Sequence, residues 1–405
     1  MIKSEKSPIK SKPSRDLEGF LQQLPSPPEE HTHELKMEQR VKRLLGDQER
    51  LTDAELRFYA RQIMLDEVGL EGQLKLRKSK ACVIGLGGLG STIATQLTAM
   101  GVGYLRVVDR DIVEESNLQR QHLYNFDVIG LPKVEAATRR LERLNPHVRL
   151  DPIPVSFNEG NSDEVLSDMD VVLDGLDNMK TRYAVNRACV ESGLPFVFGS
   201  AISTFGNVST IIPGETPCLE CFYGGLEDRV LPTCSTMGIH PSVLGVVASI
   251  EVAEAVKILL DKPPSLKNKL YYCDISALRF ETIDVAHSEN CPVCGKHPKG
   301  ISPPLKHILV EETCGRNNKK VFITVPKKNL NLDIEKLITS LEKEGARITM
   351  KAKLGVALAT AEGIAASILS SGIMIIEGTK NEEETLNFYK RMIVTKMGIP
   401  WTKIG

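Results

Sequence analysis

The sequence predicts an α/β protein built on a doubly wound, mostly parallel sheet, with a small α+β domain at its C-terminal end. Three observations lead to this fold class: short apolar segments alternate with helical ones, a glycine-rich loop follows the first of them, and a Gly/Pro-rich stretch near residue 300 interrupts the pattern. Strands that alternate with helices form parallel sheets, because each crossover helix returns the chain to start the next strand in the same direction.

The first βαβ unit is the clearest element of the pattern. It comprises a predicted strand at 80–84, a glycine loop at 85–90, a helix at 91–100 and a second strand at 104–108 that ends at Asp109. A glycine turn between a short apolar strand and a helix is typical of this unit.

The same alternation continues to residue 260, and one more strand follows it. The predicted elements are helices at 133–143 and 181–192, strands at 171–173, 196–199 and 270–274, an irregular region at 212–241 and a long helix that ends at Leu260.

Composition divides the chain into three parts. Residues 1–50 begin with a Lys-, Ser- and Pro-rich stretch and predict an arm that is disordered or partly helical, with a helix at 35–45. Residues 51–300 carry the sheet, the glycine loop and both cysteine pairs described below, and residues 301–405 predict a small α+β domain of unknown role. That domain has predicted strands at 307–312, 321–325, 347–350 and 373–377 and predicted helices at 333–344 and 382–392.

The charge balance is that of an ordinary globular protein. The 405 residues include 51 Lys and Arg against 52 Asp and Glu, a formal net charge of −1. A dedicated nucleic-acid-binding protein carries a basic excess, so we do not expect nucleic acid as a direct partner. The longest apolar stretch, 243–260, contains Glu251, Glu254 and Lys257, and therefore predicts a buried helix with a polar stripe rather than a membrane span.

Cysteine usage points to a reducing compartment. Nine cysteines are too few for a disulfide-stapled secreted module, and the number is odd. The N-terminal segment has no apolar core of the kind that a signal peptide requires. We therefore expect a cytoplasmic protein.

The glycine loop predicts a nucleotide site. In Gly85-Leu86-Gly87-Gly88-Leu89-Gly90, glycines allow backbone N–H groups to approach phosphates at the start of a helix. Asp109, at the end of the next strand, is placed to hold a ribose hydroxyl pair. The default ligand for this pattern alone is NAD.

The residues after Asp109 fit a triphosphate better than a dinucleotide. Asp111 and the run Ser116-Asn117-Leu118-Gln119-Arg120-Gln121 come next, and Lys133 lies further along the chain. A triphosphate that loses pyrophosphate needs fixed cations, which Arg120 and Lys133 would supply, although most surface Arg and Lys residues have no specific role. Asp177 and Asn178 follow a strand at the edge where ligands bind, and such an Asp suits Mg²⁺, although these residues also favour turns.

Two C-x-x-C pairs are the strongest metal signal. Cys218 and Cys221 form one pair and Cys291 and Cys294 the other, and together they supply four thiolates for a closed, structural Zn²⁺ site. Redox-active pairs are the alternative, but neither pair opens a helix after a strand as a thioredoxin-like motif does.

The motifs together resemble the ThiF/MoeB/HesA family of ubiquitin-activating-type adenylyltransferases. The resemblance covers about residues 50–297 and lies in the order of the motifs, since an NAD enzyme with the same glycine loop would lack the rest. The matching motifs are Tyr59-Ala60-Arg61-Gln62, the glycine loop, Asp109-Arg110-Asp111, the 116–121 run, Lys133, Asn145-Pro146-His147, Asp177-Asn178 and the two cysteine pairs.

The resemblance implies a nucleotide site for ATP and Mg²⁺ and a Rossmann-like fold. Asp109 would hold the ribose, Arg120 and Lys133 the triphosphate and Asp177 the Mg²⁺. The implied binding residues are Gly85, Gly87, Gly88, Asp109, Asp111, Ser116, Asn117, Arg120, Lys133, Asp177 and Asn178. The implied reaction is attack by the C-terminal glycine carboxylate of a ubiquitin-like or sulfur-carrier protein ending in Gly-Gly on the α-phosphate of ATP, which gives an acyl-adenylate and pyrophosphate.

Two further residues take roles from the family. Arg61 would reach the neighbouring subunit's site as an arginine finger, which implies a homodimer. Cys234 would attack the acyl-adenylate to form a thioester or an acyl-persulfide, although a free cysteine is more often a small apolar residue. The carrier and its pathway stay open, whether molybdopterin, thiamine, transfer-RNA thiolation or protein conjugation.

Two other functions stay open at this point. One is a Rossmann-type NAD-dependent oxidoreductase, for which the sequence shows no catalytic His or Tyr-x-x-x-Lys in register. The other is a non-catalytic partner subunit of an activating enzyme, which the presence of Asp109, Arg120, Lys133 and Asp177 disfavours.

Overall fold

The computed structural model describes residues 50–228, 231, 237–296, 307–314, 320–343 and 346–404. The predicted N-terminal arm, apart from Arg50, lies outside the described residues, as does its predicted helix. From Glu55 onward the chain forms one unit that contains two sheets.

The larger sheet has eight strands in the order β3-β2-β1-β4-β5-β6-β7-β8. The five strands from β3 to β5 run parallel, and the last three pair antiparallel. The strands are β1 (Lys80–Ile84), β2 (Tyr104–Val108), β3 (Arg149–Ile153), β4 (Val171–Asp174), β5 (Phe196–Ile202), β6 (Phe205–Ile211), β7 (Lys269–Asp274) and β8 (Arg279–Asp284).

Helices cover both faces of this sheet. They are α1 (Asp53–Ile63), α2 (Gly69–Lys78), α3 (Gly88–Met100), α4 (Lys133–Leu144), α5 (Ser162–Leu166), α6 (Met179–Ser192), α7 (Leu219–Tyr223) and α8 (Pro241–Leu259). No described helix has the length and the apolar character that a membrane span requires.

Alternation along the parallel strands produces two cores. Ala81 and Val83 of β1 face a core that includes residues of α3, α4 and α8, whereas Cys82 and Ile84 face a second core that includes residues of α6. Successive side chains of a strand point to opposite faces, so a strand covered on both sides is apolar throughout.

The smaller sheet is antiparallel and has six strands in the order β11-β12-β13-β14-β10-β9. Its strands are β9 (Val310–Cys314), β10 (Lys320–Thr324), β11 (Arg347–Lys351), β12 (Gly355–Ala359), β13 (Ala365–Leu369) and β14 (Met374–Glu377). Helices α9 (Ile334–Lys343) and α10 (Glu382–Lys390) belong to the same region, and a π-helical turn, Arg391–Lys396, follows α10. Residues of both helices share one core with Ile376 and Met374.

The structure confirms a mixed α/β chain with a large, mostly parallel sheet and a second, antiparallel one. The strands at 80–84 and 104–108 are as predicted, whereas helix α3 begins at Gly88, three residues before the predicted start. The expectation of an irregular region at 212–241 is wrong in part, because α7 lies within it. Strands β3, β6, β8, β12 and β13 were not predicted.

Candidate functional site

A cleft lies at the carboxyl ends of the parallel strands, and it encloses about 1010 Å³. This is the edge where ligands bind in open α/β sheets. All the residues that the sequence predicted for nucleotide binding line it: Gly85, Gly87, Gly88, Asp109, Asp111, Ser116, Asn117, Arg120, Lys133, Asp177 and Asn178.

Two glycines of the loop, Gly85 and Gly90, are packed too closely to carry a side chain. Gly85 has φ +89°, and a Cβ there would lie 2.5 Å from the carbonyl oxygen of Gly175, in the loop after β4. A Cβ at Gly90 would lie 1.8 Å from the carbonyl oxygen of Gly85. The loops that follow β1 and β4 therefore touch through their backbones, and this brings the start of α3 to the cleft.

Asp109 holds the glycine loop in place. Its carboxylate accepts hydrogen bonds from the backbone N–H of Leu86 and of Asp111, each at 2.7 Å. Burial raises the pKa of the Asp109 carboxyl above its usual value, and the charge of Lys133 opposes that rise. Each carboxylate oxygen keeps a second lone pair, so the group still has acceptor capacity for a ribose hydroxyl.

Lys133 is a buried cation of the cleft. Its side chain is 7% exposed, and Nζ lies 3.0 Å from a carboxylate oxygen of Asp111. Burial alone would lower the pKa of Lys133, but the carboxylates of Asp111 and Asp109 outweigh it and hold the pKa above its usual value. Burial would raise the pKa of Asp111, yet Lys133 and Arg110 hold it below its usual value. These four charged groups therefore form a network at the start of α4.

Arg120 is fixed by the loop before it. Its guanidinium donates to the carbonyl oxygen of Ser116 at 2.8 Å. Asn117, which is buried, accepts through its side-chain oxygen from the backbone N–H of Glu114 at 3.1 Å. Gln121, also buried, lines the cleft, and its side-chain oxygen has no hydrogen-bond partner in the described part of the chain.

Asp177 and Asn178 stand at the start of α6. The side-chain oxygen of Asn178 accepts from the backbone N–H of Thr181 at 2.9 Å and so caps the helix, while its amide donates to Asp177 at 3.3 Å. Asp228 accepts from the backbone N–H of Met179 at 2.6 Å, which satisfies another free donor of the helix. The exposed carboxylate of Asp177 therefore faces the cleft from a fixed backbone.

A buried ion pair lies behind this loop, and the sequence analysis missed it. Nε of Arg182 lies 2.9 Å from a carboxylate oxygen of Asp174, with side chains 7% and 0% exposed. The same guanidinium donates to the carbonyl oxygens of Leu176, at 2.7 Å, and of Gly199, at 3.0 Å. The pair thus ties the end of β4 to the middle of β5, and Arg182 itself lines the cleft.

The smaller sheet contributes to the cleft, which the sequence analysis also missed. Val321 and Ile323 of β10 and Ile375 and Glu377 of β14 are among its lining residues. Nη1 of Arg110 in addition lies 2.7 Å from a carboxylate oxygen of Glu311 in β9.

The four cysteines of the two pairs come together as predicted. Their Sγ atoms all lie within 4.8 Å of one another, with 3.6 Å between Cys218 and Cys291 and 3.4 Å between Cys221 and Cys294. Zn–S bonds of about 2.3 Å place tetrahedral sulfur atoms about 3.8 Å apart, so the donor set fits a zinc ion. The cluster lies close in sequence to Tyr223 and Leu226 of the cleft lining. It also adjoins α6, because the backbone N–H of Leu219 donates to Asn186 at 2.9 Å.

Two predicted residues are not placed in the cleft. Arg61, at the end of α1, is exposed and is absent from the cleft lining. Cys234 lies outside the described residues. Two other residues of the family motifs are structural, since the amide of Asn145 donates to the hydroxyl of Tyr59 at 2.8 Å and both are buried.

The chain is similar to several known proteins. The model of the ThiF family matches residues 59–293. Over 247 residues the chain is 40% identical to the SAMP-activating enzyme E1 of Haloferax volcanii, across 61% of this chain and 91% of that protein. It is 39% identical over 255 residues to the sulfur carrier protein adenylyltransferase of Thermus thermophilus, across 62% of this chain and 94% of that protein.

Two further comparisons extend over more of the chain. The sulfur carrier protein ThiS adenylyltransferase of Bacillus subtilis is 32% identical over 341 residues, across 83% of this chain and 98% of that protein. An alignment of that length reaches beyond residue 300 wherever it begins. A solved structure of E. coli MccB with MccA-N7isoASN has a TM-score of 0.54 and 20% identity, across 69% of this chain and 85% of that one, which shows a shared fold.

The family match assigns the glycine loop to an adenylyltransferase family rather than to a dehydrogenase family. The names of the relatives confirm the predicted enzyme class. The chain belongs to the ThiF family, as its motifs predicted.

Proposed function

We propose that this protein uses ATP to adenylate the C-terminal glycine of a small ubiquitin-like or sulfur-carrier protein that ends in Gly-Gly. One observation carries the proposal: a glycine loop, a half-buried aspartate, two cationic side chains and an exposed aspartate line one cleft. The relatives named as sulfur carrier adenylyltransferases and as a SAMP-activating enzyme support the same class of substrate.

The chemistry matches the residues of the cleft. A carboxylate is already a nucleophile, so no side chain has to attack the α-phosphate. Catalysis requires that the carboxylate be held in line and that the departing pyrophosphate be neutralised. Lys133 and Arg120 carry the positive charge for that task, and the glycine loop offers backbone N–H groups to the phosphates.

Asp177 is the residue that would hold Mg²⁺. Its carboxylate is exposed in the cleft, and Mg²⁺ bound to phosphates needs only one or two protein carboxylates. The ion would supply further charge neutralisation for the leaving pyrophosphate.

A zinc ion at Cys218, Cys221, Cys291 and Cys294 would be structural. Four thiolates this close repel one another unless a cation lies between them, and four protein ligands leave no open position for a reaction. The ion would join α7 to the segment around residue 291, which the chain separates by about seventy residues.

The active unit would be a homodimer. Arg61 is exposed on α1 and does not line the cleft of its own chain. This position is compatible with an arginine finger that binds in the cleft of the partner subunit. Cys234 would act after adenylation, as the thiol that takes the activated acyl group and releases AMP.

Carrier-dependent exchange of labelled pyrophosphate into ATP tests the proposal. The small proteins ending in Gly-Gly from the same genome are the candidate carriers, and each is also assayed without its last glycine. We expect exchange with at least one intact carrier and none with its shortened form. Pyrophosphate exchange that does not depend on the carrier would contradict the proposal. The absence of exchange with every carrier would contradict it as well.

A further inference from the structure

We propose that the smaller sheet supplies the base-facing wall of the nucleotide site, so that the adenine of ATP packs against Val321, Ile323 and Ile375. The proposal rests on the proposed function, because it assumes that ATP occupies the cleft. It assigns a binding role to residues that lie beyond the stretch matched by the family model, 59–293.

The order of the strands locates the base. The glycine loop follows β1 and Asp177 follows β4, so the phosphates belong on the β1 and β4 side. Asp109, at the end of β2, is the ribose residue, and β3 is the next strand outward. The base therefore extends from the ribose toward β3, where the cleft is lined by Arg110, Ile112 and Ser156.

The smaller sheet faces this same part of the cleft. Val321 pairs with Glu377 and Ile323 pairs with Ile375, so these four side chains lie on one face of β10 and β14. The alternate residues of β14 point to the opposite face, where Ile376 is buried in a core shared with α9 and α10. The sheet thus has one face covered by its own helices and an apolar strip directed at the cleft.

Three contacts hold the wall against the ribose and phosphate residues. Glu311 pairs with Arg110 at 2.7 Å. Ile112 packs in one cluster with Ile323 and Ile375. The buried carboxylate of Glu135, in the first turn of α4, accepts from the backbone N–H groups at positions 353 and 354, at 3.1 and 2.8 Å.

The shape and chemistry of the strip suit a purine. Val321 and Ile375 are half-buried, so they present apolar surface to the cleft, and Ile323 lies beside them with 8% exposure. An apolar wall removes water from the flat face of a base, which is favourable in proportion to the area covered. The anchoring residues Arg110, Ile112 and Glu135 adjoin Asp109, Asp111 and Lys133 in sequence. The wall is therefore fixed to the segments that hold the ribose and phosphates.

The test compares two Ile→Ala variants of the same region. Ile375→Ala removes part of the wall, whereas Ile338→Ala removes another half-buried isoleucine side chain, which packs in the core around α9 and is absent from the cleft lining. Binding of ATP and of inorganic triphosphate is measured on the whole protein by calorimetry and by displacement. Inorganic triphosphate occupies the phosphate end alone.

We expect Ile375→Ala to weaken ATP binding about tenfold, because a few buried carbon atoms are worth roughly that much, and to leave triphosphate binding unchanged. Ile338→Ala should change neither. Three results would overturn the proposed wall. They are unchanged ATP affinity in Ile375→Ala, an equal loss of affinity for ATP and for triphosphate in that variant, and an equal loss of ATP affinity in Ile338→Ala. Failure of the wild-type protein to bind ATP would instead contradict the proposed function itself.

Discussion

Lys133 connects the charged residues of the cleft. Its ammonium is buried beside Asp111 and within the field of Asp109, and both carboxylates hold its pKa above the usual value. An ion that stays charged in a partly closed cleft acts strongly on a nearby phosphate, because the effective dielectric constant there is low. Lys133 is therefore the side chain on which the phosphate end of the site depends most.

Replacing Lys133 tests this residue directly. Lys133→Ala should reduce carrier-dependent pyrophosphate exchange by about two orders of magnitude, the loss of roughly 3 kcal/mol of charge stabilisation. Lys180→Ala is the matched control, since Lys180 lies close to Asp177 in sequence but is absent from the cleft lining. Near-normal pyrophosphate exchange in Lys133→Ala would show that Lys133 does not stabilise the phosphates.

At this scale, local patterns predicted most of the site. Gly85, Asp109 and Asp177 follow strands at one edge of the sheet, so their meeting follows from the βαβ pattern alone. Arg110 lay within a quoted motif, but its partner Glu311 is about two hundred residues away, and no local signal joins them. The Asp174–Arg182 pair was missed for a related reason, since burial of charge is set by packing rather than by sequence.

Helix α8 carries two buried glutamates in contrasting environments. Glu254, 2% exposed, accepts hydrogen bonds from Thr210 at 2.9 Å, Lys257 at 2.7 Å and two backbone N–H groups. Glu251 is 0% exposed, and neither of its carboxylate oxygens has a hydrogen bond of good geometry among the described residues. Burial raises the pKa of Glu251 well above its usual value, and the neighbouring Asp174 carboxylate adds to the rise.

The contrast predicts opposite effects of Glu→Gln on stability. A carboxyl whose pKa is raised in the folded state binds its proton more tightly there, so stability falls as pH rises through the unfolded-state pKa and up toward the folded-state value. Glu251→Gln should remove that fall, so the variant gains in melting temperature over the wild type as pH is raised above the usual pKa of a glutamate.

Glu254→Gln provides the control for this prediction. It breaks hydrogen bonds made to a carboxylate, so it should destabilise the fold by about 1 to 3 kcal/mol at neutral pH. Melting curves of both variants across the pH range measure the two effects. If the difference in melting temperature between Glu251→Gln and the wild type did not change with pH, Glu251 would not be the unpaired carboxyl described above.

The cysteine cluster joins two segments that carry little regular structure. Cys294→Ser should lower zinc content and melting temperature together, because metal binding and folding of such a site are linked. Cys189→Ser, a buried thiol of α6 outside the cluster, should leave the zinc content unchanged. Elemental analysis and thermal unfolding are the measurements, and full stability in a zinc-free protein would exclude a structural metal.

The sequence patterns missed elements whose residues do not fit the usual strand and helix preferences. Strand β3 contains Pro152, which argues against a strand interior, but β3 is the edge strand of the large sheet, where a missing donor is tolerated. Strand β8 is exposed along its whole length, so it lacks the apolar alternation that marks a half-buried strand. Helix α3 begins at Gly88 because close backbone contact requires glycines there, against their low helix propensity.

For the whole molecule, the site draws on both sheets. The large sheet supplies the glycine loop and charged residues, and the smaller sheet supplies apolar residues of the lining. The sequence analysis identified an α+β region after residue 300 but gave it no role, since nothing in its composition indicates which surface it covers. Its contacts with Arg110, Ile112 and Glu135 place it at the cleft.

The proposed dimer makes a prediction of its own. Arg61→Ala and Asp177→Ala should each be inactive alone, and a mixture that exchanges subunits should recover about a quarter of wild-type activity, because half of its dimers contain one intact site. Pyrophosphate exchange before and after mixing measures the recovery. If subunits exchange and no activity returns, Arg61 does not act in the partner's site.

The formation of a carrier adenylate tests the central claim most directly. The protein is incubated with ATP, Mg²⁺ and a Gly-Gly carrier in the presence of pyrophosphatase, and the intact mass of the carrier is measured. We predict that the carrier gains the mass of one adenylyl group, and that Lys133→Ala, or removal of the carrier's last glycine, abolishes the gain. Two results would contradict the account. One is a carrier that stays unmodified although ATP is consumed, and the other is the absence of modification after every Gly-Gly protein of the genome has been tested.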